Sequence, residues 1–200
     1  APSAVYQATY QLFAQILPAY GIETTVIPDT SIEAYERALR PSTRLLYIET
    51  PNNPVLGITD IAAVVALARR RGAQTIADNT FATPFNQTPA ALGVDAIVHS
   101  ATKYLGGHHD LTAGVIAAPA GFLQRARRYL RIFGATIDPF GAWLAARGII
   151  TLGLRVERQN HNGQTLAGYL SAHPQVAVVH YPGLPDHPGH AVAARQMRGF

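Results

Sequence analysis

The sequence predicts an α/β fold: a mostly parallel sheet with helices on both faces. Three observations predict it. Short apolar runs recur at Leu45–Glu49, Thr75–Ala77, Ala96–His99 and Val115–Ala118, bounded by Pro, Gly or Asn as buried parallel strands are. Amphipathic helical patterns alternate with these runs. The links are short, so strand, helix and strand read as a βαβ unit with a right-handed crossover.

Each element has its own local signal. Ser31 is placed to cap a helix through Ile32, Tyr35 and Leu39, which Pro41 ends. The first strand, Leu45–Glu49, closes at Pro51. Asp60 or Thr59 caps the next helix, where Ile61, Val64, Val65 and Ala68 recur on one face and Gly72 supplies the stop. The second and third strands follow, and Val115–Ala118 is expected to join them before Pro119 and Gly121. Gly121 to Phe133 reads as a helix. From Phe140 to Leu170 the pattern is helical for an unusually long stretch, weakened by Gly141, Gly148, Gly153, Gly163 and Gly168, and ended by Pro174. A helix that long often spans two domains. The boundary is therefore placed near its middle, with a large domain over residues 1–148. Residues 149–200 then hold the linking helix and the start of a smaller α+β C-terminal domain. Val176–Tyr181, before Pro182-Gly183, is expected to be its first strand, and His190 to Arg198 its helix.

Composition narrows the function. Apolar residues make up 48% and charged residues 14%, so a buried core is affordable and disorder is excluded as the dominant state. The net charge is +4, but the basic runs Arg69, Arg70, Arg71 and Arg125, Arg127, Arg128 lie in helical patterns. There they complement helix dipoles or face solvent, and no nucleic-acid motif accompanies them. Cysteine is absent, which removes disulfides and thiolate chemistry and fits a reducing compartment. No apolar run reaches membrane-spanning length, so a cytoplasmic protein with no membrane or nucleic-acid partner is expected. A chain that starts at Ala1 and stops at Phe200 is expected to be processed or a piece of a longer one.

In open α/β sheets, ligands bind beyond the carboxyl ends of the strands. Here those ends read Glu49-Thr50-Pro51-Asn52-Asn53-Pro54, Asp78-Asn79-Thr80 and His99-Ser100-Ala101-Thr102-Lys103. Singly each is unremarkable: a lysine is usually a solvated charge, and Asp or Asn before a turn usually bonds its own backbone. Together they meet the demand of pyridoxal 5′-phosphate (PLP). That cofactor needs a lysine amine for attachment and a carboxylate at its pyridine nitrogen. Its phosphate needs donors, which the Ser100 and Thr102 hydroxyls supply.

The string Ser100-Ala101-Thr102-Lys103-Tyr104-Leu105-Gly106-Gly107-His108 resembles the PLP-attachment signature of the Cys/Met-metabolism (transsulfuration) enzymes. The likeness extends, in order, through Glu49–Pro54, Ala77–Phe81, Arg147-Gly148 with Thr151-Leu152, and Tyr181-Pro182-Gly183-Leu184. It implies the large-domain fold of the aspartate-aminotransferase type. It also implies roles: Lys103 as the Schiff-base lysine and proton shuttle, Asp78 as partner of the ring nitrogen, and Asn53 as partner of the ring's phenolic oxygen. Ser100 and Thr102 match phosphate ligands. Tyr6 matches the tyrosine that stacks on the ring and protonates the leaving group. Thr80 carries no assigned role.

Two departures accompany the resemblance. Where the family usually has Tyr-Gly-x-Thr, this chain reads Tyr6-Gln7-Ala8-Thr9, which reshapes the pocket or the local turn. Family members are also about twice this length. The chain is therefore expected to be a central piece, without the phosphate-binding helix N-terminus, the tyrosine and arginine lent by the neighbouring subunit, or the C-terminal arginine for the substrate carboxylate. His108, His109 and Asp110 invite a metal, but adjacent histidines rarely share one and no ligand pair stands at zinc spacing; none is expected. The resemblance implies a small sulfur-containing amino-acid substrate and a homotetramer built of active dimers. The run from Ser100 to Gly114 most resembles the methionine γ-lyase branch, so a C–S lyase performing α,γ-elimination is expected. Cystathionine γ-synthase or γ-lyase chemistry is the near alternative, and a catalytically incomplete domain serving assembly or binding is the distant one.

Overall fold

A computed structural model describes residues 1–200. A helical run opens at Gln7–Gln11 (α1), passes through a π-helical turn at Leu12–Ile16 and ends at Leu17–Ala19 (α2). Helix α3 spans Ile32–Ala38, and the Ser31 hydroxyl caps it by accepting the Ala34 N–H at 3.2 Å. Strand β1 (Leu45–Glu49) leads to α4 (Ile61–Arg70), whose cap is Asp60, accepting the Ala63 N–H at 3.0 Å. Gly72, at φ +64°, ends α4 in the left-handed conformation that glycine adopts without steric cost. Then come β2 (Gln74–Asp78), α5 (Thr83–Asn86), a 3₁₀ turn at Pro89–Leu92 and β3 (Ala96–Ser100). A π-helical turn at Ala101–Leu105 precedes β4 (Gly114–Ala117). The remaining helices are α6 (Ala120–Phe133), α7 (Pro139–Ile150), α8 (Leu152–Ser171) and α9 (His190–Gln196).

The strands form one sheet in the order β1-β2-β3-β4. The first three are parallel, with Leu45 opposite Gln74 and Glu49 opposite Asp78. Side chains alternate along a strand, so Leu46 and Ile48 face one way and Tyr47 and Glu49 the other. The apolar face takes α4: Ile61, Val64, Val65, Leu67 and Ala68 are buried against Leu46, Ile48, Ala77 and Ile97. Burying such branched side chains contributes about 1.5–3 kcal/mol each, which makes this layer the main core. On the opposite face the Phe13 ring meets Tyr47 edge-on, 5.0 Å between centroids. The expected α/β architecture, a mostly parallel sheet with helices, stands.

Three expectations need correction. Strand β4 is antiparallel to β3, and all four of its residues are exposed, so it is an open edge and not a buried parallel strand. The connection from β3 carries no crossover helix, and an antiparallel return needs none. The long helical pattern is two helices, broken at Thr151 (φ −100°, ψ 6°). Residues 176–181 form no strand: no neighbouring strand lies beside them to pair their backbone, and Val178 is exposed. The sequence carries no clear element signal before α3; Gln7 opens a helix there, a place glutamine fills well. No helix is long and apolar enough to cross a membrane.

Candidate active site

The parallel pairing aligns the carboxyl ends of β1, β2 and β3, and five of the six predicted site residues sit at or just beyond those ends. Asp78 is the last residue of β2, opposite Glu49 on one side and Val98 on the other. Its Oδ1 accepts the Thr80 N–H at 2.9 Å, and its Oδ2 receives a long 3.4 Å contact from the Tyr47 hydroxyl. One carboxylate oxygen is therefore held firmly and the other remains open to a stronger donor. Thr80 acquires a place as well: its hydroxyl accepts the Ser100 N–H at 2.9 Å and so ties the ends of β2 and β3 together. The sequence offered no signal for that bond, because it joins residues 20 apart on neighbouring strand ends.

Ser100 ends β3, and its hydroxyl makes no hydrogen bond within the chain. Thr102 is anchored. Its hydroxyl accepts the Ala113 N–H at 3.0 Å and contacts the Ala113 carbonyl at 3.4 Å. Lys103 lies inside the π-helical turn with non-helical backbone angles (φ −89°, ψ −121°), and its carbonyl accepts the Gly107 N–H at 2.7 Å. Its side chain is exposed and enters no ion pair. Asn53 follows β1 and is half-buried, with an uncommitted side-chain amide. Tyr6 is 55% exposed at the start of α1, which leaves its ring free to lie on a flat ligand. The histidines form no metal-binding cluster.

Electrostatics follow from burial. Burial pushes the Glu49 carboxyl up to about 7, with the Asp78 charge adding to the rise and the N–H groups of Tyr6 and Asn53 opposing it. His99, buried on β3, is held below the usual imidazole range by desolvation, although the Asp78 charge pulls the other way. Burial raises the Tyr47 phenol, and the Asp78 and Glu49 charges raise it further. The Tyr47 hydroxyl therefore stays protonated and serves Asp78 as a donor.

Residues beyond the motif hold the lysine turn. Arg155 on α8 donates to the Tyr104 and Gly148 carbonyls, each at 2.9 Å, and to the Thr151 hydroxyl at 3.1 Å. Gly148 on α7 lies so close to the turn that an added Cβ would sit 2.8 Å from the Leu105 carbonyl oxygen. Gly148→Ala is expected to push the lysine turn outward and cost about 1–3 kcal/mol of stability, measured by denaturant unfolding. A change within about 0.5 kcal/mol would show that α7 yields instead. A second set, buried around Gln87 and half-buried at Gln196, links the loops to α9. Gln87 donates to the Thr50 carbonyl at 3.1 Å and to Asn79 at 2.8 Å, while Gln196 donates to the Thr59 carbonyl at 3.0 Å.

The donor set suits PLP chemically: an unpaired lysine, a carboxylate with one open oxygen, a free serine hydroxyl, a free amide and an exposed ring. An α/β sheet with those groups at adjacent strand ends has the makings of a PLP-binding protein. The chain belongs to the Cys/Met metabolism PLP-dependent enzyme family, whose model matches residues 1–200. It is 43% identical over 200 residues to the cystathionine gamma-synthase of Mycobacterium leprae, covering 100% of this chain and 52% of that protein. It is also 43% identical over 197 residues to the cystathionine gamma-lyase of Bacillus subtilis, covering 98% of this chain and 52% of that one. The crystal structure of metB from Corynebacterium glutamicum superposes with a TM-score of 0.95 at 40% identity, again over 100% of this chain and 52% of its own. The chain thus spans about half the length of the relatives it matches.

Proposed function

We propose that the whole protein is a PLP-dependent carbon–sulfur lyase that performs α,γ-elimination on a sulfur amino acid, giving a 2-oxo acid, ammonia and a thiol. The observation that carries this reading is the alignment of Lys103, Asp78, Asn53 and Ser100 at the carboxyl ends of three parallel strands. When bound, PLP supplies a carbonyl for an amine and a protonated ring that accepts the electron pair left on the substrate α-carbon. Lys103 is the attachment point. Its amine, freed when the substrate's own amine takes its place, would remove the α proton, deliver that proton to the cofactor and then remove a β proton, so that it works as a base on successive carbons. Asp78 holds the proton on the ring nitrogen through its open Oδ2. Asn53 donates to the phenolic oxygen, and Ser100 and Thr102 donate to the phosphate, Thr102 giving up its long contact with Ala113. Tyr6 covers the ring and delivers a proton to the departing sulfur.

The proposal includes a cofactor domain over residues 1–148 and the start of a C-terminal domain over 149–200, with the helix break at Thr151 close to that line. It also includes a cytoplasmic homotetramer of active dimers. Exposed apolar side chains on α6 and α7, among them Tyr129, Ile132, Phe133, Phe140 and Trp143, favour association. One observation favours a second reaction: relatives of equal identity carry the names of a synthase and a lyase. In γ-replacement, the early proton transfers by Lys103 are shared and a thiol then adds at the γ carbon. Purified full-length protein should be offered methionine, cystathionine, and O-succinylhomoserine with cysteine. Release of 2-oxo acid from the thioethers is expected to outpace cystathionine formation. Faster cystathionine formation would replace the lyase reading with the synthase one.

A further inference from the structure

Glu49 is the acid that the proposed mechanism does not use. It ends β1, is only 6% exposed, and stands opposite Asp78 in the parallel ladder. Two carboxylates on adjacent strands repel, and burying one without a counter-cation is costly. No lysine, arginine or histidine pairs with it. Its oxygens instead collect backbone donors from two separate segments. The Tyr6 N–H is 3.1 Å from both Oε1 and Oε2, and the Asn53 N–H is 3.3 Å from Oε1. Those donors belong to the two site residues that lie outside both the sheet and the lysine turn.

We propose that Glu49 is a positioning residue, whose carboxylate bridges the Tyr6 and Asn53 backbones and sets both side chains against the ring that Asp78 holds. The proposal rests on the cofactor reading above. Tyr6 lies 43 residues before Glu49 and Asn53 four after it, so no local hydrogen bond fixes one relative to the other. The β1 terminus does, because the sheet ladder immobilises Glu49 and one Glu49 oxygen accepts both N–H groups. The same ladder fixes Asp78. Three contacts to one flat ligand are thereby referred to a single rigid edge, and a displacement of about 1 Å in such groups costs on the order of 10²-fold in rate.

The charge state matters to the bridge. Above a pH of about 7 the Glu49 carboxylate is ionised and presents acceptors at both oxygens, whereas an amide presents one acceptor and one donor at every pH. Because Tyr6 N–H faces both oxygens, Glu49→Gln sets an NH₂ group against it, donor to donor. Glu49→Asp keeps the charge but is one methylene short of both loops. Glutamine is nearly the same size as glutamate, so the fold is expected to survive that change.

The test uses the full-length protein, its Glu49→Gln variant and its Glu49→Asp variant. Without PLP, hydrogen–deuterium exchange is read on peptides containing Tyr6 and Asn53, with β2 peptides as reference. Both loop peptides are expected to exchange faster in Glu49→Gln by about tenfold or more, with β2 unchanged. With PLP bound, the visible circular dichroism of the cofactor is expected to change and kcat to fall by about tenfold or more, while KM moves by less than about threefold. Glu49→Asp is expected not to restore kcat. Loop exchange and kcat both within about twofold of the parent in Glu49→Gln would overturn the proposal while leaving the cofactor reading intact. A parent protein that takes up no PLP would overturn the cofactor reading and this proposal with it, and the exchange result would then stand as a purely structural tie.

Discussion

Lys103→Ala in the full-length protein is expected to abolish the visible absorption band of the lysine-bound cofactor and to reduce turnover by about 10⁴-fold or more. The upper range for loss of a positioned general base alone is of that size. Lys103 has two duties in the proposed reaction, and truncation removes both. The structural cost should be small. The Lys103 side chain is exposed and makes no ion pair, and the turn is closed by backbone bonds that alanine retains, including Gly107 N–H to the residue-103 carbonyl at 2.7 Å. Such exposed substitutions usually change stability by no more than about 0.5 kcal/mol. Denaturant unfolding alongside absorption therefore separates chemistry from folding. A variant that unfolds like the parent yet keeps the band would show that another amine carries the cofactor. An unaltered turnover would remove Lys103 from the mechanism.

Much of this arrangement was legible in the sequence because strand and helix signals are local. Ser31 and Asp60 act as caps, as their side-chain chemistry dictates, and the apolar stripe of α4 packs where its period places it. Leu45–Glu49 emerges with the expected bounds. Tertiary choices were not legible. Whether Val115–Ala118 returns parallel or antiparallel depends on what fills the connection, and apolar content alone does not encode direction. Val176–Tyr181 has the composition of a strand, but a strand requires a partner. The Thr151 break could be sensed only as glycine weakness nearby.

At the site the division is similar. The places of Asp78 and Ser100 at the strand ends, and of Lys103 just beyond one, could be read because short apolar runs mark where strands stop. Glu49, Thr80 and Arg155 could not, since each acts through hydrogen bonds to segments distant in the chain: Tyr6 for Glu49, Ser100 for Thr80, Tyr104 for Arg155. A buried acid at a strand end and an arginine with no acidic partner are the signals that a structure reveals. In the sequence both look like ordinary charges.

Asp78→Asn is expected to keep PLP within about twofold of the parent content yet lower turnover by about 10²–10³-fold, the range seen when one preorganised electrostatic contact is removed. The reasoning follows the two carboxylate oxygens. Oδ1 is fixed as an acceptor by the Thr80 N–H at 2.9 Å, so an asparagine would keep its carbonyl oxygen there. Its NH₂ would then occupy the Oδ2 position, facing the Tyr47 hydroxyl and the proposed ring nitrogen. A donor at that point favours an unprotonated nitrogen, and the electron-accepting power of the ring falls with the lost positive charge. Binding should persist, because attachment through Lys103 and the phosphate contacts of Ser100 and Thr102 are untouched. The measurement is PLP content per chain together with kcat for the best substrate. Turnover within about threefold of the parent would reject Asp78 as the ring-nitrogen partner, and loss of PLP without loss of fold would make it a binding group first. Retained cofactor with lost rate would assign Asp78 to the chemistry of the proposed reaction, in which its charge, held at the end of β2 by Thr80, gives the ring its capacity to hold electrons.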